Sequence, residues 1–203
     1  RRVPFEIPQA RTTLWDNLEL SARRYPDKPA FVFFGRAFSF AQIRDQAERL
    51  AGWLETQGGV RATDRVVLAM QNSPQFVIAF YALLRLRAVV VPANPMSRAE
   101  ELTHYIGDPQ ARLAICSAEL LAEFERAQTL LPEAQRLGGL LVARYADAMP
   151  ETLDSSEEPP VAWAGWLHAA PALPGWARSW AAAIASGCVP AAYAGAPDDL
   201  VAL

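Results

Sequence analysis

Two cysteines, Cys116 and Cys188, are too few for a disulfide framework, and they suit a reducing compartment better than export. Basic runs are missing as well: Arg23 and Arg24 form only a pair. With a net charge of −3 and a pI near 5.5, the chain lacks the cationic surface on which nucleic-acid binding rests. Long apolar runs are absent. The longest, residues 76–84, is followed by Arg85 and Arg87 and is too short to cross a bilayer, so no transmembrane segment is expected. No charged-then-apolar leader opens the chain, and its first residue is Arg1 rather than Met. The expectation is a chain that starts inside a longer reading frame or behind a removed tag.

Catalytic and ligand motifs are also lacking. Gly58-Gly59 and Gly138-Gly139 are turn glycines, and neither pair lies in G-x-G-x-x-G or G-x-x-x-x-G-K-[ST], so no phosphate cradle is expected. No G-x-S-x-G supports a serine-hydrolase elbow. Cys116, Cys188, His104 and His168 show no zinc spacing. Glu101 and His104 share a helical face at a spacing known from di-iron bundles, but no second copy exists and a surface pair accounts for them.

Core material is plentiful. At 203 residues, 52% hydrophobic and 20% charged, the chain can build one large domain or two small ones. It is organised around residues 88–106. Residues 88–91 are apolar without polar alternation, as in a strand covered on both faces of a parallel sheet. Pro92 and Pro95 cannot donate to a ladder, so the strand is expected to end there. Ser97 and Glu100 form a capping box that should start a helix at Arg98. Strand, turn and helix make half of a βαβ unit.

The same grammar recurs along the chain. Residues 1–13 read as a surface arm, and Thr13 caps a helix over 14–24 that buries Leu14, Trp15, Leu18 and Ala22. Residues 31–34 and 37–38 flank Gly35-Arg36, read as a hairpin turn with glycine first. Ser39 and Gln42 open the clearest helix, with Phe40, Ile43, Ala47, Leu50 and Leu54 at 3,4 spacing, and Gly58-Gly59 end it. A strand over 65–70 leads to Asn72-Ser73-Pro74, a cap followed by proline at the first helical position. The helix from Pro74 is apolar nearly all round and should be buried. Further strands are expected at 111–115 and 140–143, with a helix capped by Ser117 between them. This alternation predicts an α/β fold: a mostly parallel sheet flanked by helices on both faces, plus a small N-terminal β-hairpin.

Residues 147–160 turn acidic, with Ser and Pro, and read as a loop between an α/β unit over 1–146 and an Ala/Trp-rich segment over 161–203. That segment holds Trp163, Trp166, Trp176 and Trp180, expected to pack rather than to line a ligand channel; residues 198–203 look strand-like. Asn72-Ser73 sits where open α/β sheets bind anions, although a helix cap alone explains it.

These pieces resemble a known family. Residues 12–18, 25–30 and 38–40, then Asn72-Ser73-Pro74 after a strand, then residues 88–97 with Glu101-Leu102, are similar to successive landmarks of AMP-forming acyl-CoA synthetases, in the adenylate-forming superfamily. Residues 197–203 resemble the strand leading into that family's phosphate loop. The wording is nearest to bacterial long-chain-fatty-acid–CoA ligases. Where the family carries a small glycine, this chain has Arg87, whose charge should favour the preceding helix terminus and whose bulk should strain helix–strand packing.

The resemblance implies a fold of the acyl-CoA synthetase N-terminal-domain type. It implies a parent enzyme that joins a medium- or long-chain fatty acid to ATP and passes the acyl group to coenzyme A, with Mg²⁺, ATP and CoA as cofactors and a cytoplasmic setting. Homo-oligomers and peripheral membrane association of that parent are compatible with it. The family's catalytic loop, later acidic and aromatic motifs and lid lysine all lie beyond residue 203. No catalytic, cofactor-binding or metal-ligating residue is therefore assigned here, and the fragment alone is expected to be inactive. An aryl-CoA ligase, a peptide-synthetase-type adenylation domain and a non-catalytic α/β binding module are the alternatives.

Overall fold

The computed structural model describes residues 11–153, 155, 156 and 158–203, so residues 1–10 of the expected surface arm lie outside it. Helix α1 spans Leu14–Arg24; Thr13 and Asp16 cap it reciprocally, and Trp15, Leu18 and Ala22 face inward while Leu14 stays exposed. Strands β1 (Pro29–Phe33) and β2 (Arg36–Ser39) form an antiparallel hairpin. Its turn is Phe34-Gly35, both at positive φ (47° and 76°), so glycine stands second and not first as the sequence suggested. The primed turn matches the strand twist, and this register stacks Phe31 on the buried Phe38.

Ser39 and Gln42 cap helix α2 (Phe40–Thr56), and Ile43, Ala47, Leu50 and Leu54 are buried as their spacing requires. Strand β3 (Arg65–Ala69) leads through Ser73 into α3 (Pro74–Arg85). That helix stops at Arg87, which takes a left-handed conformation (φ 58°), with the Ala88 N–H reaching back to the Leu83 carbonyl.

Strand β4 (Val89–Ala93) runs through Pro92, contrary to the expected stop. It lies outermost in the five-stranded sheet, so the missing N–H of Pro92 falls where that sheet needs no donor. Helix α4 (Ala99–Gly107) starts one residue later than the sequence reading, with Arg98 at the cap. Glu101 accepts from the Arg98 N–H at 3.0 Å, while Glu123 of a neighbouring helix accepts from the Ala99 N–H at 2.9 Å. This tertiary acceptor displaces the local Ser97 box. Ser97 is instead buried.

Strand β5 (Leu113–Ser117) sits two residues further on than expected. A 3₁₀ turn follows, so Ser117 does not cap α5 (Leu121–Leu130). Strand β6 (Gly139–Ala143), helix α6 (Ala164–Leu167), strand β7 (Ala177–Ser179) and helix α7 (Trp180–Ala185) complete the order.

The sheet is wholly parallel, in the order β4-β3-β5-β6-β7. Alternation divides the core in two. Val66, Leu68, Val90, Ile115 and Leu141 face α1, α2, α3 and α7, whereas Val67, Val91, Ala114, Cys116 and Val142 face α4 and α5. Helices therefore cover both faces. Leu50, Leu54, Leu68 and Leu83 are fully buried, each worth about 1.5–3 kcal/mol of transfer free energy.

Residues 186–203 return across α2 and α3 as a strap. Buried Arg85 pairs with Glu48 (3.0 Å), donates to the Ala191 carbonyl (2.7 Å) and lies over the rings of Trp15 and Tyr193. Arg87 grips both oxygens of Asp199 at 2.8 and 2.9 Å. The strap then meets the outer side of β4: the Val90 N–H donates to Val201 O (2.9 Å) and the Leu203 N–H to Val90 O (3.0 Å), leaving one parallel bridge, Val90 to Ala202, where a full strand was expected.

Candidate functional site

Strand order reverses at β3: the chain goes outward to β4 and then back across to β5 and β6. Open α/β sheets take ligands outside the carboxyl ends of strands at such a point. Here the ends of β3, β5 and β6 bring together Gln71, Gln75, Ser117, Glu119 and Tyr145.

Tyr145 follows β6 directly, is 2% exposed, and meets the Trp166 ring edge-on. Its hydroxyl oxygen accepts from the Gln71 N–H at 2.6 Å. Burial, with the Glu119 carboxylate adding to it, pushes the phenol pKa well above its ordinary value, so the hydroxyl stays protonated. Ser117, fully buried, donates its hydroxyl to one Glu119 oxygen at 2.7 Å. Burial also raises the Glu119 carboxyl, against the hydrogen bonds that lower it. Gln75 donates its amide to the Arg144 carbonyl at 2.9 Å.

Two buried acceptors, Gln75 Oε1 and Glu119 Oε2, have no partner among the described residues. The cluster can accept hydrogen bonds and hold a neutral tyrosine. Its serine–carboxylate pair, Ser117 with Glu119, has the serine fully buried.

The residues weighed from the sequence are dispersed. Ser73 caps α3, accepting from the Phe76 N–H at 3.2 Å, and Asn72 is exposed beside it. Glu101 serves the Arg98 N–H, while His104 lies with Val91, Tyr105 and Leu203 along a shallow groove. His168 is exposed. Cys116 is buried within the sheet, its thiol pKa driven up by desolvation; the Cys188 thiol, half-buried, is lowered by hydrogen bonds with Ser186 and Thr56. Of the four clustered tryptophans, Trp180 is buried, Trp166 and Trp176 are half-buried, and Trp163 is 43% exposed.

Gly58-Gly59 and Gly138-Gly139 lie at the amino ends of β3 and β6, away from the switch point. Among the described residues no group of three or more His, Cys, Asp or Glu is placed to hold a metal. The switch-point residues thus do not fit Mg²⁺, and no step through it is derived from them. No motif marked Gln71, Gln75, Glu119 or Tyr145. The one available signal was a glutamine in the first turn of a helix that is otherwise apolar nearly all round.

A wholly parallel sheet with helices on both faces, and with a following segment laid on its outer strand, defines an open α/β architecture. Residues 18–202 match the AMP-binding enzyme family, and the chain belongs to it. A long-chain-fatty-acid–CoA ligase of Bacillus subtilis (strain 168) is 34% identical over 148 residues, covering 73% of this chain and 26% of that protein. The chain thus spans about a quarter of the length of this curated relative.

Among solved structures, the N-terminal domain of FACL13 from Mycobacterium tuberculosis is 28% identical with a TM-score of 0.59, over 68% of this chain and 34% of that one. The anthranilate CoA ligase AuaEII, solved with anthranoyl-AMP, has a TM-score of 0.72 at 21% identity, over 97% of this chain and 32% of that one. That likeness speaks for the fold. The expected fold class, with its parallel sheet, two helical layers and hairpin, is the one observed.

Proposed function

We propose that this chain is the N-terminal part of an AMP-forming fatty-acid–CoA ligase, acting in the cytoplasm on a medium- or long-chain acid, and that by itself it is inactive. In the whole enzyme a carboxylate oxygen attacks the α-phosphorus of ATP and pyrophosphate leaves. The coenzyme A thiol then displaces AMP from the acyl-adenylate. Both steps bring anionic groups together, so Mg²⁺ and convergent donors are needed; ATP, Mg²⁺ and CoA belong to that larger assembly.

The observation that carries the reading is the match over 18–202 together with the relative named for long-chain fatty acids. The likeness to an N-terminal domain supports the placement within the enzyme. The strap adds a physical element: residues 200–203 are docked in parallel on β4, as a strand feeding a loop at the carboxyl ends of the sheet would be.

The test begins with the natural reading frame. A sequence of the form S/T-G-T-T-G-x-P-K-G soon after Leu203 is the expected continuation, and a stop codon there would point to a binding module. Thioester formation by the extended protein, assayed across aliphatic and aromatic acids, then identifies the acyl group. A preference for aromatic acids would replace the fatty-acid assignment with an aryl-CoA ligase.

A further inference from the structure

A cavity lies at the opposite edge of the sheet from the switch point. At the amino ends of β5, β6 and β7 a cleft of about 520 Å³ is lined by Trp53, Trp176, Arg112, Arg178 and the Gly138-Gly139 pair, among others. No acidic side chain lines it, in a chain whose net charge is −3. Arg112 Nη1 is tied to the Ala134 carbonyl (3.1 Å), and Arg178 Nη1 to those of Gly175 (2.6 Å) and Ala177 (2.9 Å). Neither guanidinium pairs with a carboxylate among the described residues, so most of each donor fork is free.

The cleft also takes in a glycine pair. Neither Gly138 nor Gly139 has a positive φ. A β-carbon would meet nothing closer than 3.6 Å at Gly138 or 3.8 Å at Gly139, which is ordinary contact. The backbone and its neighbours therefore do not require glycine at either position. The two missing side chains leave open space in a cleft that Trp53, Trp176, Arg112 and Arg178 also line.

We propose that this cleft is a binding site for a small planar ring carrying phosphate groups, separate from the switch point. The volume falls within the range of small-molecule pockets. Indole side chains in the lining suit a ring, and guanidinium forks suit phosphate oxygens.

The test titrates the 203-residue chain with ADP, which joins a planar ring to two phosphates, followed by tryptophan fluorescence and calorimetry. Adenosine and inorganic pyrophosphate are run as separate probes. Saturable one-to-one ADP binding is expected, with each half-ligand about tenfold weaker or worse. The double variant Arg112→Ala/Arg178→Ala should raise the ADP Kd about tenfold or more. Gly139→Val should abolish binding with an unchanged melting curve. Should Gly139→Val melt early, the arginine variant, confined to exposed side chains, carries the test.

Absence of saturable ADP binding would overturn the proposal. So would binding that survives the arginine variant, or pyrophosphate binding as tightly as ADP. Because the cleft lies away from the switch point, these outcomes are independent of whether the extended protein activates fatty acids.

Discussion

At the scale of single residues, Arg87 shows how a local cost is offset. A left-handed backbone favours glycine, yet the side chain that occupies the position reaches across to the strap and clasps Asp199. The Arg87 hydrogen bonds, and then the Ala196 N–H, hold the Asp199 carboxyl below its ordinary value of 3.8. The folded state therefore binds this proton less readily than the unfolded chain. The associated stability is complete above that ordinary value and is lost as pH falls below it. Melting curves of the parent chain and Asp199→Asn, recorded from about pH 6 to about pH 2.5, should show a gap that closes at the acid end. A gap independent of pH would contradict the account.

Tyr145 is the matching case at the candidate site. Tyr145→Phe removes the hydroxyl that accepts from the Gln71 N–H and should cost about 0.5–1.5 kcal/mol in urea unfolding. An unchanged midpoint would mean that Gln71 finds another acceptor.

At the scale of elements, what could be read from the sequence was what is local. The Ser39–Gln42 cap and the 3,4 spacing place α2 correctly, because cap and stripe lie within one segment. What could not be read depends on neighbours far along the chain. Pro92 sits inside β4 because that strand is outermost in its sheet, and the start of α4 is set by Glu123, 24 residues downstream of Ala99. Strand β7 is three residues long in an Ala/Trp-rich stretch without alternation.

The strap is another such case. A β-carbon at Gly52 would overlap the Cys188 backbone, so α2 needs glycine there for the strap to lie flat. Gly52→Ala should destabilise the chain by about 1–3 kcal/mol and speed hydrogen exchange at the Ala191 amide, which is bonded to Glu55 at 2.7 Å. Exchange at Ala191 unchanged by the substitution would show that the strap does not depend on this close approach.

At the scale of the whole molecule, the α/β class was legible because strands and helices alternate and α1, α2 and α3 each carry a side-chain cap that the sequence marks. The candidate site was not. Its residues come from the ends of β3, β5 and β6 and from the first turn of α3, none recurs at a fixed spacing, and only the topology brings them to one edge. The flagged pair, Asn72-Ser73, reaches that edge too, but Ser73 is spent on capping α3. The strap completes the picture, since it lays residues 200–203 beside β4 with their direction parallel to the sheet.

The central claim is that this chain is the scaffold of a fatty-acyl ligase whose chemistry resides in the remainder of the enzyme. ATP–pyrophosphate exchange with dodecanoate or palmitate, measured on this chain and on the chain extended to its natural C-terminus, tests it most directly. Fatty-acid-dependent exchange in the extended protein alone is the predicted result. Exchange by the 203-residue chain itself, or none from either protein across aliphatic and aromatic acids, would contradict it.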